Sequence, residues 1–335
     1  DRFGHSVATG DFNDDGCDDL AVGIPFESVS NNVGQGPKAG MVQVFYGKPW
    51  GFDMSMDQLW HQNSAGIAGT AEQGDKFGWS LATGDFNNDG LADLAIGTPT
   101  ESIGTVPSSG AVTVIFGHGA GLESFDSQML HQDNLAGLSA ETGDLFGYAI
   151  AAGDFNNDGN ADLAIGAPRD TISGDDSGED AGLVTVLSGS GKGIKTSGIK
   201  MFHQGKLNAI LESGDGFGYS LASGNFNNDK FYDLVVGVPF EDLEYTGSTV
   251  ENAGIIHVIR GSSGGLTSTG NTIWSQDTAS IGGGSEAGDY FGYSVASGDF
   301  DKDGFDDLAV GVPFEDVESK NAIDAGAVNV IPGSS

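Results

Sequence analysis

Five copies of Asp-x-Phe-Gly, short apolar runs broken by Gly, Pro and Asn, and no sustained helical period together predict an all-β fold. The architecture that suits them is a β-propeller of four-stranded antiparallel blades, with five blades in this chain. The copies begin at Asp1, Asp75, Asp144, Asp215 and Asp289, so the chain reads as a single domain over residues 1–335 with repeats 1–74, 75–143, 144–214, 215–288 and 289–335. A solenoid is the rival, but its repeats are usually shorter and its ends need capping units. The Gly-Gly-x-Gly-x-Asp pattern of a calcium β-helix is missing.

The third repeat shows the strand pattern. Phe146 to Ala152 is the first strand and Ala161 to Gly166 the second, ending at Ala167-Pro168. After a polar loop, Gly182 to Ser188 is the third and Lys200 to Gln204 the fourth. Small residues after Phe-Gly, as in Ser80-Leu81-Ala82-Thr83-Gly84 and Ser294-Val295-Ala296-Ser297-Gly298, suit an innermost strand where blades crowd. Trp60, Leu130, Phe202 and Trp274 each precede an x-Gln pair and suit the outermost strand. The fifth repeat ends at Ile331-Pro332-Gly333 without a fourth strand. A closed five-bladed ring is expected over an arc of a longer ring, because an arc leaves two large apolar blade faces in water.

Between the first two strands of each repeat lies a loop rich in side-chain oxygens. Asp85, Asn87, Asp89 and Asp93 stand at its positions 1, 3, 5 and 9, with Gly90 at position 6 and the carbonyl of Leu91 at position 7. Calcium takes about six to eight oxygens, and a turning loop can aim these positions at one centre. The same set recurs as Asp11, Asn13, Asp15, Cys17 and Asp19, then as Asp154, Asn156, Asp158, Asn160 and Asp162. Another copy is Asp299, Asp301, Asp303, Phe305 and Asp307. Asn225, Asn227, Asp229, Phe231 and Asp233 form a degraded copy, with no first Asp and with Lys230 in place of the Gly. Four Ca2+ sites are expected, with the fifth weak or absent; the alternative there is that Lys230 replaces the ion, its ammonium pairing with Asp229 or Asp233. Position 12 is Val22, Ile96 or Ile165 inside a strand, which excludes an EF-hand, whose loop needs Glu there and flanking helices. The bland alternative is that Asn, Asp and Gly merely make tight turns.

With 13 basic against 48 acidic residues the formal charge is −35. Such a chain lacks the Lys and Arg that nucleic-acid phosphates require, and it suits neither an anionic membrane surface nor insertion, having no apolar run near 18 residues. Cys17 is the single cysteine, so no internal disulfide is possible. Calcium can take over that cross-linking role outside the cell, where sites of millimolar affinity fill.

Phe77-Gly78 with Gly97-Thr98-Pro99, Phe146-Gly147 with Gly166-Ala167-Pro168 and Phe291-Gly292 with Gly311-Val312-Pro313 resemble the FG-GAP repeat. Together with the aspartate loops, the chain looks like the propeller of integrin α chains and its bacterial relatives. That resemblance implies calcium in the loops joining the first and second strands, an extracellular or cell-surface location, and a role in adhesion or recognition. It also departs from the integrin pattern, which has seven blades.

His61, His131 and His203 precede Gln62, Gln132 and Gln204, and give way to Ser275 in the fourth repeat. Their recurrence points to a structural role, since catalysis happens once per domain. Glu72/Asp75, Glu141/Asp144, Glu212/Asp215 and Glu286/Asp289 also recur, and are expected to cap turns rather than to work as acid–base pairs. The chain has no hydrolase, zinc-protease, phosphate-loop or Cys-x-x-Cys motif, so it is read as non-catalytic. The loops after each Pro vary most: Phe26 to Ala39, Thr100 to Ser109, Arg169 to Ala181, Phe240 to Ala253 and Phe314 to Ala325. Strand alternation puts them opposite the calcium loops, and they are the expected face for a protein or glycan ligand. Asp175, Asp176, Glu179 and Asp180 make one of them notably acidic. A glycan-binding lectin propeller is one alternative. The other is the non-catalytic part of a larger secreted enzyme, since FG-GAP propellers also resemble the C-terminal part of a phospholipase acting on lipid anchors.

Overall fold

The structure is a computed structural model that describes residues 1–31, 34–172, 178–317 and 322–334. Asp175 and Asp176 lie outside the described residues. The chain forms the blades of an all-β propeller: four four-stranded antiparallel sheets and, among the described residues, a fifth of three strands. Ser6–Gly10, Asp19–Ile24, Met41–Lys48 and Gly51–Trp60 make the first sheet in chain order. The second is Ser80–Gly84, Asp93–Thr98, Ala111–Phe116 and Glu123–Leu130. Ala149–Gly153, Asp162–Ala167, Leu183–Leu187 and Lys200–Phe202 make the third. Ser220–Gly224, Asp233–Val238, Ile255–Arg260 and Thr267–Trp274 make the fourth, and Ser294–Gly298, Asp307–Val312 and Ala327–Ile331 the fifth.

By its internal contacts the chain divides into two units. One holds residues 1–152, 160–165 and 186–199, the other 153–159, 166–185 and 200–335. In the first, Phe12, Val42, Val44, Phe77, Leu94, Ile96 and Ile115 form a core against which Trp60 packs. In the second, Val235, Ile256, Val258, Phe291, Leu308, Val310 and Val312 do the same, with Trp274 against them. The outer-strand residues of the sequence reading are therefore packing residues. Strand starts fall later than the apolar run suggests in the third repeat. Phe146 to Tyr148 form a turn, closed by Tyr148 N–H donating to Leu145 C=O at 2.9 Å, with Leu145 and Gly147 at positive φ.

One contact recurs between neighbouring blades within each unit. The N–H of Phe77, Phe146, Phe217 and Phe291 donates to the carbonyl of Ala39, Ser109, Ala181 and Ala253 at 2.8–2.9 Å, and all four rings are fully buried. The rings lie over the small second-strand residues of the preceding blade and over third-strand pairs such as Val42 and Val44, which sit opposite Gly23 and Ala21. The hydroxyls of Ser6, Ser80 and Ser220 donate to the carbonyls of Gly78, Gly147 and Gly292 at 2.7–2.8 Å. This approach explains why glycine occupies the second strand. A Cβ on Gly23, Gly97, Gly166 or Gly237 would lie 2.1–2.2 Å from the carbonyl oxygen of the next blade.

Some apolar residues of the first and fifth blades are exposed. Phe3 and Val7 are each 61% exposed, and Val328 and Val330 are 66% and 58% exposed.

Gly97→Ala should cost about 1–3 kcal/mol or more, because the added methyl must displace backbone rather than a flexible side chain. A urea midpoint equal to the parent protein's would show that the blades do not approach this closely.

Candidate functional site

In four of the five loops the first-position carboxylate organises the turn. Asp85 Oδ1 accepts from Asp89 N–H at 3.1 Å and Oδ2 from Gly90 N–H at 2.9 Å. Asp11 does the same for Asp15 and Gly16, Asp154 for Asp158 and Gly159, and Asp299 for Asp303 and Gly304. Side-chain oxygens of Asn87 and Asp301, at position 3, and of Asp89 and Asp303, at position 5, accept from backbone N–H groups two residues on. Each bond turns a carboxylate or amide oxygen inward while leaving lone pairs free.

The ninth-position carboxylate is fully buried in every blade. Asp19 accepts from Phe12 and Gly47 N–H at 2.9 and 2.7 Å, and Asp93 from Phe86 and Gly117 at 2.8 and 2.9 Å. Asp307 accepts from Phe300 and Gly333 at 2.8 and 2.9 Å, and Asp162 from Gly189 at 3.1 Å. At Asp19 and Asp93 the two N–H bonds do not offset desolvation. Burial pushes Asp19 up to about 6 and Asp93 up to about 7, with the neighbouring loop carboxylates adding to the rise. Carboxylate oxygens of Asp299, Asp301 and Asp307 lie within 4.8 Å of one another. The donor set is all oxygen, its anionic charge is concentrated, and its orientation is fixed by backbone bonds. It fits a hard divalent cation.

The loop at Asn225 is built differently. Asn225 and Asn227 still accept from Asp229 N–H at 3.1 and 2.9 Å. The cation there is Arg260, whose Nη1 donates to Asp233 Oδ2 at 2.8 Å. The alternative that Lys230 pairs with Asp229 or Asp233 is not what the structure shows: its ammonium lies 5.2 Å from the Phe231 ring centre. It also occupies the left-handed position (φ +75°) that Gly16, Gly90, Gly159 and Gly304 take elsewhere, at a cost of about 1–2 kcal/mol. Arg260 lies on the third strand, far from the loop in sequence, and no local motif marks it. In the first loop Lys48 pairs with Asp15, a second contact the sequence does not announce.

The recurring acidic pairs act as turn acceptors. Asp144, Asp215 and Asp289 accept from the N–H of Glu141, Glu212 and Glu286 at 2.6–2.9 Å, and Asp75 likewise from Glu72. They belong to a larger buried arrangement. The amide of Gln62 donates to Glu101 at 2.7 Å, that of Gln204 to Glu241, and that of Gln276 to Glu315. Burial pushes Asp75 to about 6 and Glu101 to about 7, and Asp215 to about 7 and Glu241 to about 8, with the Glu212 charge adding to the rise at Asp215 and the Asp215 charge to that at Glu241. The x-Gln pair of the sequence is therefore half of a clasp on the loop after the next Pro. His61, His131 and His203, just before these glutamines, are pushed below the usual histidine range by burial. The backbone N–H of His61 and of His131 bonds to the side chain three residues on at 3.0 and 3.1 Å, as Ser275 N–H does in the fourth repeat at 3.0 Å. They are turn residues.

Two open cavities flank these features. In the second unit, Glu212, Asp215, Phe240, Asp242, Glu251 and Asn252 line one of about 530 Å3, on the loops after the Pro. In the first unit, Asn87, Asp89, His118, Glu123, Phe125 and Lys192 line one of about 790 Å3, beside a calcium-type loop.

The FG-GAP repeat family matches residues 3–45, 77–115, 146–187, 217–259 and 291–330, more than half of the chain. Phosphatidylinositol-glycan-specific phospholipase D of Bos taurus is 30% identical over 244 residues, 71% of this chain and 26% of the relative. Integrin alpha-8 of Gallus gallus is 29% identical over 241 residues, 70% of this chain and 20% of the relative. The chain thus spans about a quarter or less of the length of these relatives. Among solved structures, the rhamnogalacturonan lyase YesW covers 90% of the chain and 56% of its own, at 12% identity and a TM-score of 0.40.

Because Glu101, Asp215 and Glu241 have raised folded values, their contribution is fully present below the ordinary carboxylate range and is lost as pH rises through about 7–8. Calcium-free protein should therefore melt at lower temperature at pH 8.5 than at pH 6 or so. Glu241→Gln, which keeps a partner for Gln204, should flatten that slope. A slope equal to the parent's would remove the clasp as its cause.

Proposed function

Since this chain belongs to the FG-GAP repeat family, we propose that it is a calcium-stabilised, extracellular recognition module that binds another macromolecule through the loops after each Gly-x-Pro. The observation that carries the calcium part is the repeated inward set of oxygens ending in a buried ninth-position carboxylate. Asp11, Asn13, Asp15, the Cys17 carbonyl and Asp19 would hold one ion. Asp85, Asn87, Asp89, Leu91 and Asp93 would hold a second, and Asp154, Asn156, Asp158, Asn160 and Asp162 a third. Asp299, Asp301, Asp303, Phe305 and Asp307 would hold the fourth. The ion supplies the positive charge that keeps the buried carboxylate ionised, and so ties the first two strands to the loop between them. At Asn225 a neutral first ligand, a strained Lys230 and the Arg260–Asp233 pair all oppose calcium.

The ligand reading rests on the cavity at Phe240. Four carboxylates around one aromatic ring, on a chain of charge −35, suit a basic protein surface. Relatives include integrin alpha chains and phospholipases, and a non-catalytic role in either kind of assembly is consistent with a recognition propeller. A glycan is the second reading. It is favoured by the polar cavity at Asn87 and His118, whose Phe125 ring is 88% exposed as a stacking surface would be.

Calcium should raise the melting temperature, since a ligand bound only by the folded state adds about 2.7 kcal/mol per site at a hundredfold excess over Kd. Excess EDTA should reverse the gain, and a melting curve indifferent to both would refute the calcium role. In calcium-soaked crystals, ions should fill the other four loops before the one at Asn225, and equal occupancy at all five would overturn the ranking. Surface plasmon resonance against basic extracellular proteins should give salt-sensitive binding that Asp242→Asn with Glu251→Gln weakens about tenfold or more. Binding seen only on a glycan array, and unaffected by that pair, would favour the second reading.

A further inference from the structure

Five loops of one design allow a comparison inside a single chain. In each blade the ninth-position aspartate accepts from the N–H of a glycine at or next to the end of the third strand: Gly47, Gly117, Gly189, Gly261 and Gly333. That bond fixes the next residue beside the loop, and this residue is Lys48, His118, Ser190, Ser262 or Ser334. Ser190 and Ser262 turn their hydroxyls onto the carbonyls of Gly193 and Gly265 at 2.7 Å, and His118 lies 3.2 Å from Glu123. Lys48 alone of the five is a fixed cation, and its ammonium donates to Oδ2 of Asp15, the fifth-position ligand of the first loop. The counterparts of Asp15 in the second and fifth blades, Asp89 and Asp303, accept instead from the Asn87 amide at 3.0 Å and the Phe305 N–H at 2.9 Å. No Lys or Arg among the described residues pairs with either of them.

We infer that Lys48 is a tethered competitor for calcium, which makes the first loop a weaker site than the loops at Asp85 and Asp299. An ion entering the first loop must either displace the ammonium from Asp15 or accept a like charge beside it, and both lower its affinity. Asp14 and Asp18 add negative charge to the same loop, but both are exposed and screened, whereas Lys48 touches the carboxylate directly. The first loop thus stands between the other two designs. It keeps every ligand of the complete loops, and it carries a cation of its own, as the fourth blade does with Arg260 on Asp233. Arg260 meets the ninth-position carboxylate in a loop that has lost its first aspartate, so it replaces the ion. Lys48 sits on a flexible stem over an intact ligand set, so it can withdraw when calcium is plentiful. The first blade therefore gains and loses its ion over a range of calcium in which the second and fifth stay loaded. The inference rests on the calcium reading of the loops and concerns only the order in which they fill.

The amide resonances of Gly16, Gly90 and Gly304 report the three loops separately, since each N–H donates to the first-position carboxylate of its own loop. Starting from the calcium-loaded chain, free calcium is lowered stepwise with a chelator buffer, and each amide is followed by nuclear magnetic resonance. Gly16 should revert first, at about tenfold higher free calcium than Gly90 and Gly304. Lys48→Met, which keeps an unbranched stem without the charge, should bring Gly16 into step with the other two. Lys48→Arg, which keeps the charge, should leave Gly16 the first to revert. The Gly90 and Gly304 midpoints should be the same in all three chains, which separates an effect at one loop from a general loss of fold. A parent in which Gly16 reverts together with Gly90 and Gly304 overturns the inference and leaves the calcium reading standing. So does a Lys48→Met chain in which Gly16 still reverts first. Three amides indifferent to calcium remove the calcium reading and this inference with it.

Discussion

The close seating of a Phe-Gly turn on the glycine strand of the preceding blade is the constraint on which the rest of the structure depends. It brings backbone against backbone, so the second strand must carry glycine at Gly23, Gly97, Gly166 and Gly237, and the turn must carry glycine at positive φ. The same approach buries one aromatic ring per junction and, at three of the four, orients a serine hydroxyl. That glycine requirement is why the repeat is visible in the sequence at all. The loops at the two ends of each second strand are then fixed in place as a consequence.

Charge is the second organising problem. A chain of −35 that buries a carboxylate at the end of each second strand must neutralise it. The fold uses three different means. Backbone N–H groups orient each ninth-position aspartate and offset part of its desolvation. Where the loop keeps its first aspartate, the concentrated oxygens suit a divalent cation. In the fourth blade a guanidinium from the third strand does the work, and that loop has lost its first aspartate and its glycine. On the opposite side, the Gln–Glu clasps hold carboxyl groups whose burial favours the protonated form near neutral pH. Burial thus raises carboxyl groups at both ends of the strands, as at Asp93 and Glu101, and only those at the loop end sit in an oxygen set that suits a cation.

Equivalent positions differ in exposure from blade to blade. Val44 and Val330 occupy the same place in their blades, yet only one is covered. Phe77 and Phe3 differ in the same way.

Spacing and residue type in the sequence determined the repeat, the strand order within each blade, the loop oxygens and the degraded loop at Asn225. All of these are local: a turn needs its Asp, Asn and Gly within nine residues, and a strand needs its apolar run. The structural role of the histidines before Gln62 and Gln132 was also legible, from their recurrence alone. Only the tertiary structure decided which cation meets Asp233, because Arg260 comes from another strand and the nearer Lys230 turns onto Phe231. The pairing of Gln62 with Glu101 and of Gln204 with Glu241 was likewise invisible, since partners nearly forty residues apart are brought together by blade packing. Exposure of the Phe3 and Val328 faces was undecidable from residue type, because the sequence writes those positions as it writes the buried ones. Whether an apolar side chain is covered depends on what stands next to it in space, and that is a property of the fold.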